Sequence, residues 1–435
     1  MGSRFGTQVS CRALKPPCDV VIFVEHIARE LDISAAVAVH LERAHGLRAE
    51  VASTKFDLLE NVSRIGSAKV AAFPWFYEDD DGPIRRVREH WPNVRLVNLA
   101  YEQVLQNINQ AVKTPHGDLA RTEVRHFAWG EFYKDLLVRY GVAPELVTVV
   151  GNPSYGLYRP PYREFFPSRS ALAAKHGLDP NKRWLLVAEN YGAAFYADDH
   201  LEVMVARGAS REESYAFRDF ASASLAKMAE WLRDACRENL EIILRPRPYT
   251  PLERLRKRVV EAIGELPPGL RMIQDGSVRE WVLASDAVCS SYSTTLIESA
   301  VAGKPIAMLT PLPLPEFVKH AWYDFVPQVS TSEAFGAWVT DPISNSAQRL
   351  EEWANETMLA HGDPIAGMAD FLANAAWDVP QTAIPLAIRP SLHARLLARA
   401  FKRARGRRPD KAHEHDRFSQ HDVQSRIERW RTILK

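Results

Sequence analysis

The sequence predicts an α/β protein built from two parallel-sheet domains, and two observations lead to this prediction. Short apolar, β-branched runs that suit buried strands alternate with helical stretches along most of the chain, which is typical of parallel sheets. A segment rich in proline and aromatic residues, 153–167, interrupts this alternation and indicates a linker. With 435 residues the chain exceeds one ordinary core, which agrees with more than one domain.

Each half of the chain contributes its own series of predicted strands. The first series comprises 19–24, 48–52, 69–75, 94–99, 126–129 and 147–150, with helices predicted at 34–44, 83–90 and 131–140. The second series comprises 184–189, 241–245, 270–274, 286–290 and 305–309, with a long helical region at 211–239. After residue 341 the pattern becomes helical, at 347–361 and 364–376.

Composition excludes several classes of protein. A formal net charge of +1 gives no global attraction to nucleic acid. The 46% hydrophobic and 25% charged residues describe a soluble globular protein. No uncharged apolar run reaches about 18 residues, which argues against a spanning helix or a cleaved signal peptide. Four cysteines without metal-type spacing fit a reducing, cytoplasmic location, and no metal site is predicted.

The most distinctive stretch is a run of hydroxyl side chains at 291–295, between a predicted strand and a brief helix. Free N–H groups at a helix start attract anions, and Ser293, Thr294 and Thr295 add donors that fit phosphate oxygens. The stretch therefore predicts a phosphate site. Thr295 and Glu298 also have the spacing of a capping box, and capping alone explains the same residues, so both interpretations stay open.

Several short motifs follow predicted strands in a fixed order. They are Glu25…Arg29-Glu-Leu-Asp32, Phe127-Ala-Trp-Gly130, Gly151-Asn-Pro153, Arg245-Pro-Arg-Pro248, Trp281…Ala284-Ser-Asp286 and Ser293-Thr-Thr…Glu298…Gly303-Lys-Pro305. In this order they resemble the bacterial surface carbohydrate biosynthesis family. That family is similar to capsule-type Kdo and sialic acid transferases and to CDP-glycerol glycerophosphotransferases of the GT-B fold. The resemblance covers residues 19–310 and leaves the tail outside.

The resemblance implies two Rossmann-like domains that face a cleft, with C-terminal helices. It divides the chain into a flexible N-terminus (1–17), an acceptor-side domain (18–155), a linker (156–170), a nucleotide-donor domain (171–340), helices (341–380) and a basic tail (381–435). The implied activity is an inverting, metal-independent glycosyltransferase of bacterial cell-surface polysaccharide assembly, without a cofactor. Its partners would be a nucleotide sugar, a CMP-linked donor such as Kdo being one option, and a glycan or lipid-linked acceptor.

Residue roles carry over from the same resemblance. Ser293, Thr294 and Thr295 would hold the donor phosphate together with Arg245 and Arg247, and Glu298 would bind the donor ribose. Relatives have histidine at the position of Arg247. Arginine still donates to phosphate with a permanent charge, but it cannot supply a proton near neutral pH. Relatives commonly have arginine at Ser154, so no anion contact is expected there.

An inverting transferase needs a base that deprotonates the acceptor hydroxyl, and a carboxylate in the cleft is the usual solution. Glu25, Glu30 and Asp32 follow the first predicted strand, and Arg29 can pair with one of them while another stays free. Glu30 and Asp32 are ranked ahead of Glu25. Acidic residues in a first helical turn also favour helix capping, which is the alternative for each.

Further candidates for the cleft follow from position alone, because ligands of parallel sheets collect at the carboxyl ends of the strands. They are Arg29, Glu102, Asn152, Glu189 and Asn190. For Glu102 a surface or capping role is the alternative.

Two alternative functions remain open, and one stretch of the chain is a candidate for membrane contact. A polyol-phosphate transferase or sugar-nucleotide epimerase would use the same fold, and so would a catalytically silent scaffold of a membrane-associated assembly complex. The basic amphipathic stretch 395–411 predicts peripheral contact with anionic lipid on the inner face of the membrane. The alternative is a solvated tail whose apolar residues dock on the body; a nucleic-acid-binding module is not recognisable.

Overall fold

The computed structural model describes residues 18–206, 209–248, 250–359, 362–378 and 411–435, without the side chains of 107, 108, 111 and 411–413. Within these ranges the chain forms two six-stranded sheets, both wholly parallel, which confirms the predicted fold class. The first sheet has the strand order β2-β1-β3-β4-β5-β6. Its strands are β1 (Cys18–Val24), β2 (Ala49–Ser53), β3 (Ala68–Phe73), β4 (Arg95–Asn98), β5 (Arg125–Ala128) and β6 (Val147–Val149).

The second sheet has the order β12-β11-β10-β7-β8-β9. Its strands are β7 (Arg183–Ala188), β8 (Leu240–Arg245), β9 (Leu270–Met272), β10 (Ala287–Ser290), β11 (Ile306–Leu309) and β12 (Gln328–Val329). The sequence predicted all of these strands except β12, which has only two residues and therefore too little pattern to recognise.

Helices cover the faces of both sheets and follow the strands in alternation. The α-helices are α1 (Asp32–His45), α2 (Leu58–Ile65), α3 (Gly82–His90), α4 (Asn107–Lys113), α5 (Asp118–Thr122), α6 (Glu131–Arg139), α7 (Pro153–Gly156), α8 (Arg169–His176), α9 (Asp198–Ala206), α10 (Arg211–Ala235), α11 (Leu252–Ile263), α12 (Val278–Ala284), α13 (Thr295–Val301), α14 (Ser332–Thr340), α15 (Gln348–Met358), α16 (Pro364–Trp377) and α17 (Gln420–Ile433). A π-helix (Ile27–Leu31) precedes α1, and 3₁₀ turns occur at Pro144–Leu146, Tyr162–Phe165, Gly192–Phe195, Glu316–Val318, Ala321–Phe325 and Lys411–Asp416.

Burial on both faces explains why β1 occupies the interior of its sheet. Successive side chains of a strand point to opposite faces. Val20 and Ile22 belong to the core on one face, whereas Val21 and Phe23 belong to the core on the other, and all four are fully buried. A run of apolar residues without polar alternation is what a parallel strand covered on both sides requires.

After the second sheet the chain returns to the first domain. Helix α16 packs against α1, and its Phe371 meets Phe127 of β5 edge to face, with ring centroids 5.5 Å apart. Helix α17 also packs on α1, where Trp430 is fully buried and stacks on Phe165 with centroids 4.1 Å apart. The sequence predicted α16 as a helix, but which domain it covers follows only from the packing.

The predicted linker is more ordered than its composition indicates. Tyr158, Tyr162, Phe165 and Phe166 are all buried, and a helix already begins at Arg169. The predicted flexible N-terminus and residues 395–410 of the predicted lipid-contacting stretch lie outside the described residues. Among the helices that are described, none combines the length and the apolar character that crossing a membrane requires.

Candidate functional site

A cleft of about 480 Å³ lies between the two domains, where the carboxyl ends of strands from both sheets face each other. All six residues predicted for nucleotide or phosphate binding line it, namely Arg245, Arg247, Ser293, Thr294, Thr295 and Glu298. The five further cleft candidates line it as well, namely Arg29, Glu102, Asn152, Glu189 and Asn190. The three predicted catalytic carboxylates, Glu25, Glu30 and Asp32, are not part of its lining.

The wall formed by the second domain carries an exposed cation and a turn of hydroxyl side chains. Arg247 follows β8, its side chain is exposed, and no described carboxylate lies within 4.0 Å of its guanidinium. Ser293 and Thr294 follow β10, and Asn190 after β7 donates from Nδ2 to the backbone carbonyl of Tyr292 at 3.2 Å. This bond ties the ends of two neighbouring strands together and fixes the hydroxyl turn against the end of β7.

Arg245 occupies the same wall but is engaged in a structural role. Its side chain is buried, and the guanidinium donates to the carbonyl oxygens of Asp275 (2.7 Å) and Gly276, in the loop after β9. Burial lowers the pKa of Arg245 to about 10, although the charges of Glu280 and Asp275 oppose this shift. The geometry therefore assigns Arg245 to holding this loop, whereas Arg247 is the arginine free to meet a ligand.

The capping box that offered an alternative explanation for Thr295 and Glu298 is not formed. Helix α13 begins at Thr295 with Thr294 at the N-cap, and no side chain caps it. The Thr295 backbone N–H donates instead to Ser293 Oγ at 3.2 Å. Glu298 Oε2 accepts a 2.5 Å hydrogen bond from the hydroxyl of Tyr158, which lies in the segment between the domains. Capping therefore does not account for these residues.

Glu189 is the most isolated acidic group of the cleft. It ends the β7 segment, only 3% of the residue is exposed, and the backbone N–H of Tyr191 donates to Oε1. Its Oε2 has no hydrogen-bond partner among the described residues. Burial raises the pKa of Glu189 to about 7, although the charge of Arg247 and the nearby backbone N–H groups of Tyr191 and Arg247 oppose the shift.

The wall formed by the first domain carries a compact charge cluster. Arg29 Nη1 donates to Glu102 Oε1 at 2.6 Å, its Nη2 donates to Glu30 Oε1 at 2.8 Å, and Lys113 Nζ binds Glu102 Oε2. Burial favours the neutral form of Glu102, but the charges of Lys113 and Arg29 outweigh it and hold the pKa of Glu102 well below its usual range. Glu102 is therefore a permanently ionised acceptor rather than a strong base.

The structure places the predicted catalytic carboxylates away from the cleft surface, and each has partners. Glu30 is fully buried, and its Oε2 accepts the backbone N–H groups of Glu25 (2.6 Å) and His26 (3.3 Å), which closes the turn after β1. Burial raises the pKa of Glu30 against the opposing charges of Arg29 and His26. Glu25 lies 3.0 Å from Lys55 Nζ.

Asp32 is held by the C-terminal helix α17. Its Oδ1 accepts a 2.8 Å bond from Arg426 of α17, and its backbone carbonyl accepts one of 3.0 Å from Trp430 Nε1. Arg426 and Trp430 lie 394 and 398 positions after Asp32 in the sequence. At such a separation the sequence could not reveal that Asp32 anchors the C-terminal helix.

Sequence reasoning did not mark several residues of the cleft, among them Arg279, Lys113 and His320. Arg279 of α12 is buried and crosses between the domains, donating to the carbonyls of Ala28 (3.1 Å) and Arg29 (3.0 Å) and to Ser154 Oγ (3.2 Å). Lys113 and His320 also line the cleft. Each is an isolated basic residue type in an ordinary helix or loop sequence, so no motif marked them.

His320 presents a defined tautomer to the cleft. Its Nδ1 accepts from the backbone N–H of Trp322 at 3.4 Å, which leaves Nε2 to carry the proton of the neutral ring. Burial lowers the pKa of His320, so the ring is a neutral hydrogen-bond donor at pH 7. In the described part of the chain, no cluster of three or more His, Cys, Asp or Glu side chains is placed to hold a metal ion.

No protein-family model matches this chain, and no curated protein matches it. Several solved structures, in contrast, are similar to this chain. The wall teichoic acid polymerase TagF superposes with a TM-score of 0.54 and 10% identity over 82% of this chain and 89% of that chain. A variant of that polymerase soaked with CDPG gives a TM-score of 0.54 and 10% identity over 82% and 88% of the two chains. A putative UDP-N-acetylglucosamine 2-epimerase from Listeria monocytogenes superposes with a TM-score of 0.49 and 13% identity over 85% of this chain and 100% of that chain. At these identities the likeness to the polymerase shows the fold alone: two Rossmann-like domains in the GT-B arrangement.

Proposed function

We propose that this protein is a nucleotide-sugar-dependent glycosyltransferase of bacterial surface polysaccharide assembly, with the donor bound on the second domain and the acceptor facing the first. One observation carries the proposal. Arg247, an exposed arginine without a carboxylate partner in the described chain, lines the same interdomain cleft as the hydroxyls of Ser293 and Thr294. An unpaired guanidinium next to hydroxyl donors suits the phosphate oxygens of an activated donor.

The ribose would bind next to the phosphate. Glu298 lines the cleft one helical turn after Ser293 and Thr294, and Tyr158 holds its Oε2. A carboxylate has about four lone-pair positions, so Glu298 can accept ribose hydroxyls while it keeps the bond from Tyr158. The tyrosine fixes the orientation of the carboxylate before the ligand arrives, which lowers the entropic cost of binding.

The acceptor would meet the charge cluster of Arg29, Glu102 and Lys113 on the first domain. Glu102 is the carboxylate of that wall, and its ionised oxygens can accept a hydrogen bond from an acceptor hydroxyl and orient it toward the donor. We therefore propose Glu102, rather than Glu25, Glu30 or Asp32, as the residue that orients the acceptor hydroxyl. Because its pKa is held low, Glu102 is a weak base, and the proposal does not assign to it the removal of the hydroxyl proton. The inverting, metal-independent course that the resemblance implies remains part of this proposal.

The test is a thermal-shift panel on the purified protein. It comprises CMP, CDP, UDP, GDP, sugar derivatives of each and CDP-glycerol, because a ligand that binds only the folded state stabilises it by about 2.7 kcal/mol at a concentration of 100 Kd. We expect one nucleotide to give a selective upward shift of Tm that Arg247→Ala abolishes. Arg256→Ala, which removes an exposed arginine from α11, is the matched control and should keep the shift.

The outcome also separates the alternative functions. A selective shift with CDP-glycerol but with no nucleotide sugar would favour a polyol-phosphate transferase. Conversion of a bound nucleotide sugar to its epimer without any acceptor would identify an epimerase. If no nucleotide shifts the Tm, the transferase proposal fails, and a catalytically silent scaffold of a membrane-associated complex becomes the better interpretation.

A further inference from the structure

We propose that Glu189 donates a hydrogen bond from Oε2 to the phosphate of the nucleotide donor, next to Arg247. This inference rests on the proposed function and assigns a role to a residue that no motif of the sequence explains. It concerns the same wall of the cleft, and it makes donor binding depend on the protonation of one carboxyl group.

The geometry sets Glu189 apart from the other cleft carboxylates. Both oxygens of Glu102 are bound to cations, and Glu298 accepts the hydroxyl of Tyr158. In Glu189, the backbone N–H of Tyr191 occupies Oε1, whereas Oε2 is buried without a partner. A buried polar atom without a partner is costly, and a ligand that pairs with it recovers that cost.

The position of Glu189 points to phosphate as the partner. Its backbone N–H donates to the Arg245 carbonyl at 2.8 Å, so Glu189 lies beside the strand end that leads to Arg247. The next residue, Asn190, binds the carbonyl of Tyr292, which directly precedes Ser293. Glu189 is thus held between the guanidinium and the hydroxyls that we propose for the donor phosphate.

Burial favours the neutral form of Glu189, whereas the charge of Arg247 and the backbone N–H groups of Tyr191 and Arg247 favour the ionised form. Arg247 lies beyond ion-pair distance, the guanidinium of Arg245 is directed to the carbonyls of the 275–276 loop, and Tyr191 and Tyr292 are uncharged. Burial raises the pKa of Glu189 to about 7. A protonated carboxyl donates to a phosphate oxygen, whereas an ionised one would repel it. Donor affinity should therefore fall as pH rises through about 7.

The experiment measures binding of UDP-N-acetylglucosamine, CMP-N-acetylneuraminic acid and CDP-glycerol by calorimetry between pH 5.5 and 8.5. The phosphate groups of these probes do not titrate in this interval, so a change of affinity reports on the protein. We expect the wild-type affinity for the probe that binds to fall about tenfold across the range. Glu189→Gln should keep the affinity found at low pH and lose this dependence, because its amide N–H₂ donates at every pH.

Two further variants complete the experiment. Glu189→Ala removes the donor and should bind about five- to tenfold more weakly than Glu189→Gln at each pH. Glu238→Gln, at an exposed position, is the control and should keep the wild-type profile. His200 and His320 also line the cleft, so an equal pH dependence in Glu189→Gln and wild type would belong to them and overturn the inference.

Equal affinity of Glu189→Ala and Glu189→Gln would overturn the inference too, since no hydrogen bond would then be lost. Affinity that rises with pH in the wild type would show an ionised Glu189 that accepts from the ligand, which is the opposite role. Absence of binding by all three probes to the wild type at every pH is a separate result: it contradicts the proposed function, on which the inference depends.

Discussion

The Tyr158 hydroxyl donates a 2.5 Å hydrogen bond to Glu298 Oε2 and so connects the segment between the domains to helix α13 of the second domain. Burial strongly raises the pKa of Tyr158, and the charge of Glu298 adds to this shift, so the tyrosine stays protonated and remains the donor. The carboxylate proposed to bind ribose is therefore oriented by a residue outside the second domain.

Removing this hydroxyl should weaken both the fold and nucleotide binding. Tyr158→Phe leaves Glu298 without its buried donor, which should lower the free energy of unfolding by about 1–3 kcal/mol. Urea denaturation measures this change, and calorimetry should show a severalfold weaker affinity for the nucleotide. Tyr215→Phe breaks a tyrosine–glutamate bond of 2.9 Å to Glu202 at the surface and should change neither quantity much. Equal effects of the two substitutions would refute the orienting role.

Substitution of Arg245 should lower the stability of the fold, whereas substitution of Arg247 should weaken nucleotide binding. Arg245→Ala leaves two carbonyls of the 275–276 loop unpaired, so we expect a loss of about 2–4 kcal/mol in the free energy of unfolding. Arg247→Ala changes an exposed side chain and should leave this free energy within about 0.5 kcal/mol of the wild-type value while nucleotide affinity falls. Urea denaturation and calorimetric binding measurements on both variants test these two expectations. If Arg245→Ala does not fold, the stability of Arg245→Lys is compared with that of Arg247→Ala instead.

Asp32 should prove to be a structural residue. Asp32→Asn weakens its ion pair with Arg426, so we expect reduced stability but unchanged nucleotide binding. Trp430→Ala removes the large side chain that fixes α17 and should cost about 3–5 kcal/mol. Urea denaturation and the thermal-shift panel measure the two effects. Loss of nucleotide binding in Asp32→Asn with unchanged stability would instead return Asp32 to the catalytic candidates.

Glu189 should make the stability of the protein depend on pH. Its pKa in the folded state, about 7, lies above the value of about 4.3 in an unfolded chain. The protonated form therefore stabilises the fold fully below about pH 4, and this contribution is lost as pH rises through about 7. The shift corresponds to about 4 kcal/mol.

Urea denaturation at pH 5 and pH 8.5 tests this dependence without any ligand. Glu189→Gln should make the wild-type decrease in the free energy of unfolding over this range smaller, whereas Glu238→Gln should leave it unchanged. The same decrease in all three proteins would mean that Glu189 does not titrate near neutral pH in the folded state.

Arg279 should control how closely the domains approach. Arg279→Met keeps the approximate length of the side chain but removes the donors to the carbonyls of Ala28 and Arg29 and to Ser154. We expect a larger radius of gyration by small-angle X-ray scattering and faster hydrogen exchange in the turn after β1. Arg256→Met on the surface of α11 is the control. An unchanged radius of gyration and unchanged exchange in Arg279→Met would show that other contacts hold the cleft.

The sequence by itself determined the two parallel sheets, eleven of their twelve strands and the wall that carries Arg247, Ser293 and Glu298. These features depend on local pattern: buried parallel strands are apolar runs, and the residues that follow them must lie at the same edge of the sheet. The same rule made Glu102, Asn152, Glu189 and Asn190 candidates for the cleft, and all four line it.

Only the tertiary structure decided what individual polar residues do. Arg245 and Arg247 belong to one motif, yet one is buried against a loop and the other is exposed to the cleft. Asp32 is held by Arg426, and Arg279 binds the opposite domain, through contacts that span hundreds of positions of sequence. The role of a charged side chain depends on its burial and on its partners, and both arise from segments that are distant in sequence and meet only in the folded chain.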